Sequence, residues 1–527
     1  MFRAALGLLV LAACYPAPAA DPKARDTEFV IRGATIHDGT GKPGYKGNLH
    51  VKGDKIVAVG KAGDAAGAKV IDGAGLVVCP GFIDLHTHCD SGLTGERGRH
   101  NKNYATQGCT TVVTGNCGSG PVDAGGWFKK LEAGGVGTNV IHLATHNSIR
   151  QQVMGNENRA PTLDEQNKMQ ELVEQAMTDG TFGLSTGLIY NPGTYSETAE
   201  IVGLAKAAAK HGGIYASHIR DEGGGLLTAI EEALRIGKES GCPVHVSHIK
   251  ASGKATWGKS ADAVGLIEAA RKQGQKVTAD QYPYIASSTS LRATVVPSRY
   301  REGGQKEFVA RLDDPKTGPR MKADIEKSLE GRDGGKRIQI ARYAKNPKWN
   351  GKKVSEIAEA EKKEPIDVVL EIERNGGAQV VNFAMSEEDV RVYMKRPWVA
   401  TASDGGVQTP GDTVPHPRSY GTFPRKIGRY AIEDGVVSLE QAIRSSTGLP
   451  AEILGLTDRG TLKAGAFADV VVFDPKAYRD TATFDRPHQY AAGVKWVFVN
   501  GTPVVADGEH DAKALPGRVL RHKGPAR

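Results

Sequence analysis

Strands and helices alternate regularly through the middle of this chain of 527 residues. Short β-branched or apolar runs at residues 110–114 and 244–247 are separated by longer segments with helical apolar spacing, of which residues 226–240 are one. Parallel strands need a long crossover connection, usually a helix, and a long series of such units closes as a barrel. The alternation therefore predicts an α/β fold, a (β/α)8 TIM-like barrel over residues 80–454.

The two ends of the chain have a different pattern from its middle. Short strands separated by glycine turns occupy residues 26–79 and 455–515. This pattern predicts a small β-sandwich domain formed from both termini. Within the barrel region the alternation stops at about residues 296–354, which are rich in charged side chains. We expect this segment to be a charged helical insertion that covers one end of the barrel and shapes the acyl pocket.

The first twenty residues predict a signal peptide. Arg3 precedes an apolar run at residues 4–13 that is too short to span a bilayer, as in secretory signals. Residues 11–14, Leu-Ala-Ala-Cys, resemble a bacterial lipoprotein cleavage box, which would leave a lipidated Cys14 and a possible membrane attachment. Ordinary cleavage near residue 19 or 20 is the alternative. The chain is expected to be exported, as a periplasmic or membrane-anchored lipoprotein or as a secreted protein.

Charge and cysteine content do not indicate a nucleic-acid-binding protein or a disulfide-stabilised protein. The formal net charge is +8, but no Lys/Arg run with interleaved aromatic residues is present, so nucleic-acid binding is not predicted. Six cysteines are present. Removal of Cys14 leaves an odd number spread over a long chain, which is not a disulfide framework.

Six side chains of the types that bind metals or transfer protons lie at predicted strand ends. His86 and His88 close a short apolar strand, and alternate residues of a strand point to the same side. The complete set is His86, His88, Cys117, His218, His248 and Asp404. The active site of such a barrel lies at the carboxyl ends of its strands. Histidine and thiolate are zinc ligands, and a carboxylate completes a metal sphere or acts as a general base.

The chain resembles the D-aminoacylases, the N-acyl-D-amino-acid deacylases of the amidohydrolase superfamily. The most specific motifs are Gly-Asn-Cys-Gly at 115–118 and Gly-Leu-Ser-Thr-Gly at 183–187. The other matching motifs lie at residues 80–88, 215–220, 246–248, 282–284, 403–404 and 465–469. The fourth strand has no lysine, although many binuclear amidohydrolases carry a carboxylated lysine there. The resemblance implies that Cys117 takes a metal-ligand role instead.

The resemblance also implies a reaction and a role for each residue. Zinc held by Cys117, His218 and His248 would assist hydrolysis of the amide bond of an N-acyl-D-amino acid. Asp404 would be the general base and then the general acid. His86 and His88 would define a second metal position, so that one or two zinc ions are expected.

A substrate of this class carries a carboxylate that needs polar or cationic partners. Arg220 and Lys250 each lie two residues past a predicted histidine ligand, and Tyr190 follows the fourth strand. We predict that these three residues bind the small-molecule substrate, because a guanidinium recognises a carboxylate with two hydrogen bonds. The alternative is that Arg220 and Lys250 are ordinary surface charges.

Three other functions remain open from the sequence. A D-residue dipeptidase uses the same chemistry, and a hydantoinase-like cyclic amide hydrolase is disfavoured by the missing lysine. A non-catalytic relative that binds metal is disfavoured by the intact Asp404 and ligand set. The D-specificity is implied by the resemblance alone, and the acyl group, the amino-acid side chain and the oligomeric state stay open.

Overall fold

The structure is a computed structural model that describes residues 27–61 and 65–524. The predicted signal peptide, with Cys14, lies outside the described residues. Over the described ranges, none of the helices has the length and apolar character needed to cross a membrane.

The described chain contains twenty-one strands and sixteen α-helices. The strands are β1 Glu28–Ile36, β2 Tyr45–Lys52, β3 Lys55–Gly60, β4 Lys69–Asp72, β5 Val77–Pro80, β6 Phe82–Asp84, β7 Cys109–Thr114, β8 Asn139–His142, β9 Ala144–Thr145, β10 Gly183–Gly187, β11 Ile214–His218, β12 Val244–Val246, β13 Val277–Gln281, β14 Ser287–Ser290, β15 Ile338–Arg342, β16 Gln379–Asn382, β17 Val399–Thr401, β18 Val470–Phe473, β19 Val494–Val499, β20 Thr502–Ala506 and β21 Glu509–His510. The helices are α1 Lys102–Ala105, α2 Ala124–Gly134, α3 His146–Met154, α4 Leu163–Asp179, α5 Thr198–Lys210, α6 Leu226–Ser240, α7 Ser260–Lys272, α8 Leu291–Val295, α9 Gln305–Asp313, α10 Gly318–Glu330, α11 Val354–Glu361, α12 Pro365–Arg374, α13 Glu387–Met394, α14 Arg418–Pro424, α15 Leu439–Ser446 and α16 Gly448–Ile453. A π-helix, Arg425–Glu433, follows α14.

A parallel barrel forms the centre of the molecule. β6, β7 and β8 pair in that order, and β9 continues the line through β10, β11, β12, β13 and β17. β8 and β9 are two parts of one strand, separated only by Leu143. A parallel bridge between Thr87 and Gly405 joins the end of β6 to the end of β17 and closes the ring. The predicted (β/α)8 barrel is therefore confirmed, with all eight carboxyl ends at one face.

Both ends of the described chain contribute to one nine-stranded sheet. β5 pairs with β1 on one side and with β18 on the other, so strands from residues 28–80 and 470–510 are hydrogen-bonded together. A bridge between Lys55 and Phe467 shows that the sheet folds back on itself. Its inner face is apolar, with Ile31, Val51 and Phe498 among the buried residues.

The insertion is larger than the sequence predicted. Its core contains α8 to α12 and includes Leu291 at one end and Val380 at the other. The strands β14, β16 and β15 form an antiparallel sheet beside it. β14 reads Ser-Ser-Thr-Ser and has no apolar residue. The sequence therefore does not predict a strand at this point, and the predicted insertion is confined to residues 296–354. α12, expected to belong to the barrel, buries Val368 and Ile372 in this core.

Candidate metal centre and active site

Three buried imidazoles surround the thiol of Cys117. The Cys117 Sγ atom lies 3.3 Å from His86 Nε2, 3.4 Å from His218 Nδ1 and 3.5 Å from His248 Nε2. Ligand atoms around a tetrahedral zinc ion are separated by roughly 3.5 Å, given zinc–ligand bonds of about 2.0–2.3 Å. The strands β6, β7, β11 and β12 deliver these four side chains to one point, so the spacing already suits a metal ion.

The loop that carries Cys117 is held against the barrel by small residues. Cys117 has φ 52° and lies between Gly115 and Gly118, which also have positive φ. A side chain at Gly118 would collide with Asn147, and the N–H of Gly118 donates to Ser185 Oγ at 3.1 Å. Ser185 lies on β10, the strand without a lysine, so this strand positions the cysteine loop.

Backbone strain is concentrated at this site. Cys117, His248 and Asp404 all have positive φ, of 52°, 36° and 51°. Such angles are uncommon for residues other than glycine and cluster at functional sites. The strain indicates that the surrounding structure holds these side chains in place.

A second group of side chains adjoins the first. His88 Nε2 lies 3.0 Å from Asp404 Oδ1, and His86 Nε2 lies 3.6 Å from the same oxygen. His86 therefore contacts both Cys117 and Asp404. The side chain of His88 is 39% exposed, whereas His86 is fully buried. The structure thus brings all six residues predicted from strand ends together.

The protonation states of the buried groups suit a metal ion. Burial lowers the pKa of His86 to about 4 and holds the pKa of His218 well below its usual value, so both rings are neutral and keep a free lone pair. Burial, and then the charge of Asp404, raises the pKa of the Cys117 thiol. A bound cation reverses this shift and favours the thiolate. The donor set, a thiol with neutral imidazoles and a carboxylate, therefore fits zinc.

Asp404 is paired with a cation that the sequence analysis did not identify. Arg418 Nη1 lies 2.8 Å from Asp404 Oδ2, and both residues are buried. Burial alone would raise the pKa of Asp404, but Arg418, His248 and the hydrogen bond from His88 outweigh it and hold that pKa well below its usual value. Asp404 is therefore an ionised carboxylate, the protonation state that a general base requires.

Lys250 lies at the site and is paired with a glutamate missed by the sequence analysis. Lys250 Nζ contacts Glu222 and lies 2.7 Å from His248 Nδ1. Glu222 Oε1 is also 3.0 Å from His248 Nδ1. Burial opposes ionisation of Glu222, but Lys250 and the two nearby histidines lower its pKa. Glu222 therefore holds His248 with Nε2 directed at Cys117, as carboxylates do behind many zinc-binding histidines.

Asp280 on β13 contacts the opposite side of the cluster. It accepts the backbone N–H of His248 at 2.5 Å, and its other oxygen lies 2.8 Å from His245 Nε2 and 3.7 Å from His86 Nδ1. The carboxylate thus fixes the end of β12 and faces the rear nitrogen of His86. No motif pointed to Asp280, because its role depends on pairing between β12 and β13.

Tyr190 lies between the metal centre and the insertion. Its ring is 4.8 Å from that of His218, and its hydroxyl lies 3.1 Å from Thr289 Oγ1 on β14. Tyr282 is a second tyrosine at the site, with its ring 4.7 Å from the Arg418 guanidinium and 5.6 Å from Lys250 Nζ. The buried Tyr282 hydroxyl has no hydrogen-bond partner among the described residues. Tyr282 therefore lies beside both cations of the site, with its hydroxyl unpartnered.

Arg220 is engaged elsewhere, so its contacts do not support the predicted clamp. Its guanidinium makes two hydrogen bonds to Glu232 on α6, at 2.8 and 2.9 Å, and donates to the carbonyls of Thr194 and Ser196. These bonds tie the loop after β11 to the outer helices. The structure directs Lys250 and Arg418, rather than Arg220, toward the metal centre.

A metal-liganding cluster at the carboxyl face of a closed parallel barrel defines the class of metal-dependent barrel hydrolases. The profile of the amidohydrolase family Amidohydro_3 matches residues 69–505, and the chain belongs to this family. The D-aminoacylase of Alcaligenes xylosoxydans xylosoxydans is 38% identical over 516 residues, 93% of this chain and 97% of that protein. That similarity places the chain in the D-aminoacylase branch of the family.

Two solved structures resemble the whole described fold. A D-aminoacylase studied for its binuclear metal centre has a TM-score of 0.80 at 35% identity, covering 94% of this chain and 99% of its own. The N-acyl-D-glutamate deacylase of Bordetella bronchiseptica, in complex with zinc and a phosphonate mimic of the tetrahedral intermediate, has a TM-score of 0.80 at 33% identity. That alignment covers 94% of this chain and 100% of the other.

Proposed function

We propose that this enzyme hydrolyses the amide bond of N-acyl-D-amino acids and releases a carboxylate and a free D-amino acid. The observation that carries the proposal is the contact of Cys117 with three imidazole nitrogens beside the ionised Asp404. The resemblance to D-aminoacylase over almost the entire chain supplies the substrate class.

The cofactor is zinc, as one or two ions. Cys117, His218 and His248 would hold one ion, since the thiol contacts both imidazoles, and His86, His88 and Asp404 surround a second position. Zinc, when bound, supplies a Lewis acid that acidifies water and polarises the acyl carbonyl. Glu222 and Asp280 keep the histidines in the orientation that binding requires.

Asp404 moves the proton during the reaction. Its carboxylate accepts a proton from the attacking water, whose oxygen bonds to the acyl carbon. As the carbon–nitrogen bond breaks, Asp404 returns this proton to the departing amine. The charge of Arg418 lowers the pKa of Asp404 and so keeps its carboxylate ionised before the reaction.

Lys250, Arg418 and Tyr282 are the proposed partners of the substrate carboxylate. Both cations are buried, and the unpartnered hydroxyl of Tyr282 adds a donor at the same place. Tyr190 and the strand β14 border the site on the insertion side, so the insertion would shape the pocket for the acyl or amino-acid side chain.

Matched pairs of N-acetyl-D- and N-acetyl-L-amino acids test the proposal. Zinc-loaded enzyme should hydrolyse a D series with acidic, apolar or basic side chains and leave the L series intact. Turnover of D-dipeptides or hydantoins, with no turnover of N-acetyl-D-amino acids, would replace the proposed substrate class by one of the alternatives.

The Asp404→Asn variant tests the proton transfer. We expect turnover to fall by about 10²–10⁴-fold, the usual contribution of a general acid–base, while zinc remains bound through Cys117, His218 and His248. Asp412→Asn, an exposed carboxylate in the same loop, is the matched control. Full activity of Asp404→Asn would refute the assignment.

We also propose that the enzyme is exported, either as a lipoprotein with a lipidated Cys14 or after ordinary cleavage near residue 19 or 20. The support is Arg3, the apolar run at residues 4–13 and the Leu-Ala-Ala-Cys segment. Fractionation of cells that express the full chain and a Cys14→Ala variant tests this proposal. Release of only the variant from membranes supports lipidation, and equal solubility of both proteins contradicts it.

A further inference from the structure

A cavity of about 720 Å³ lies at the barrel face opposite the metal centre. Ile214, Val244 and Val277, the first residues of three barrel strands, line it together with Trp398, which immediately precedes β17. We call it the base cavity. Its volume lies in the range of small-molecule sites, about 300–1,000 Å³.

The base cavity combines an apolar wall with a cationic lining. Phe182, Leu449 and Ile453 add to the apolar wall. The ionised side chains that line it are those of Arg271, Lys276, Arg396, Arg444 and Glu452. Cations therefore outnumber the single carboxylate, which makes the cavity complementary to an anion.

The contacts of these charges show which of them are available. Glu452 is paired with Arg444 at 2.8 Å, and Arg271 donates to the carbonyl of Val277. Arg396 donates from Nε to the carbonyl of Val392 at 3.2 Å, and its Nη1 atom lies 3.7 Å from Glu268, outside the cavity lining. The backbone carbonyl of Lys276 accepts the N–H of Val244, but its exposed side chain makes no ion pair or hydrogen bond with the described residues. The side chain of Lys276, together with the Nη atoms of Arg396, is therefore available to meet a ligand.

The indole of Trp398 is 4% exposed and adds to the apolar wall of the base cavity.

We propose that the base cavity is a second ligand site, which binds an amphipathic carboxylate of medium chain length. The aliphatic chain lies against the apolar wall, and the carboxylate meets the side chains of Lys276 and Arg396. The site is separate from the metal centre, which lies at the other end of the same strands. It therefore stands whether or not the proposed reaction is correct.

Calorimetric titration of the zinc-loaded full chain with decanoate, below its micellar concentration, tests the proposal. The double variant Lys276→Glu, Arg396→Glu should bind decanoate at least tenfold more weakly, with unchanged turnover of the substrate. Lys306→Glu with Arg320→Glu, two exposed cations of the insertion, makes the same change in charge and should bind as the wild type does.

The metal centre also offers cations to a carboxylate, and Lys250→Ala distinguishes the two sites. Decanoate binding that persists in Lys250→Ala and weakens in the double variant supports the base cavity. Binding that is lost in Lys250→Ala and kept in the double variant overturns the proposal. Absence of binding to the wild type, or equal loss in the Lys306/Arg320 control, also overturns it.

Discussion

The two clusters of metal-binding side chains share a barrel face but differ in burial and support. The deep cluster, Cys117, His218 and His248, is at most 5% exposed. In the outer cluster, His86, His88 and Asp404, the side chain of His88 is 39% exposed. Asp404 is also already paired with Arg418. The deep ligands are preorganised, while the outer position depends on an exposed histidine and on a carboxylate that is already paired with Arg418.

This difference indicates unequal affinities for zinc. Glu222 and Asp280 fix His248 from two sides, and such supporting contacts raise metal affinity. The exposed His88 loses side-chain entropy when a metal binds. We expect the deep cluster to keep its ion when the outer cluster has lost its own.

Removal of the thiolate should have the largest effect. Cys117→Ala takes away the ligand shared by the deep imidazoles, so we expect zinc to be lost and turnover to fall by about 10³-fold or more, the equivalent of several kcal/mol of metal catalysis. Zinc content after dialysis and the rate constant measure this effect. Cys242→Ala, a buried cysteine that contacts the carbonyl of Ala205, is the control. Retained zinc and activity in Cys117→Ala would show that the deep cluster does not have the higher affinity for zinc.

Glu222→Gln should weaken the deep cluster without removing a ligand. The amide keeps the size of the side chain but loses the charge that faces His248 and Lys250. We expect zinc affinity to fall by about 10–100-fold, measured by competition with a chelator. Glu231→Gln, an exposed residue on α6, should behave as the wild type does. An unchanged zinc affinity would show that Glu222 does not support His248 as a ligand.

The pH dependence of zinc binding should distinguish the clusters. The raised pKa of Cys117 means that its thiol is protonated at neutral pH and must release a proton when zinc binds. The pKa of about 4 for His86 means that this ring is already neutral above about pH 5 and releases none. The apparent affinity of the deep cluster should therefore rise about tenfold per pH unit. Calorimetry in buffers of different ionisation enthalpy measures the proton, which should be absent from any residual binding in Cys117→Ala.

His88→Ala should have the smallest effect on the deep ion. The substitution removes only the exposed ligand of the outer cluster, so we expect zinc affinity at the deep cluster to change by less than about threefold, within the range of a remote substitution. Zinc stoichiometry at saturating metal should fall if the wild type binds two ions. Loss of zinc from the deep cluster in His88→Ala would show that the deep cluster depends on the outer one.

The sequence analysis found the ligands because strand ends are predictable. His86, Cys117, His218 and His248 follow apolar runs, and parallel strands bring such positions to one face. The same argument failed for Arg220, two residues past His218. β11 ends at His218, so the alternation of side chains does not extend to Arg220, which turns toward α6.

The supporting residues were not predictable in the same way. Glu222 lies in a loop, where residue spacing does not specify direction. Arg418 is the first residue of α14, directly after a loop, and the role of Asp280 depends on the pairing of β12 with β13. The insertion was underestimated because β14 has no apolar residue. Its strand conformation comes from pairing with β16, a partner about ninety residues away along the chain.

The sequence by itself determined the alternating pattern of the barrel, the donor types at its strand ends and the absence of a lysine on the fourth strand. These features are local, since periodicity and residue chemistry are properties of short segments. The tertiary structure alone decided which cation faces Asp404, which carboxylates hold His248 and where the insertion begins. These features depend on contacts between residues far apart in the chain, whose geometry follows from packing the whole fold.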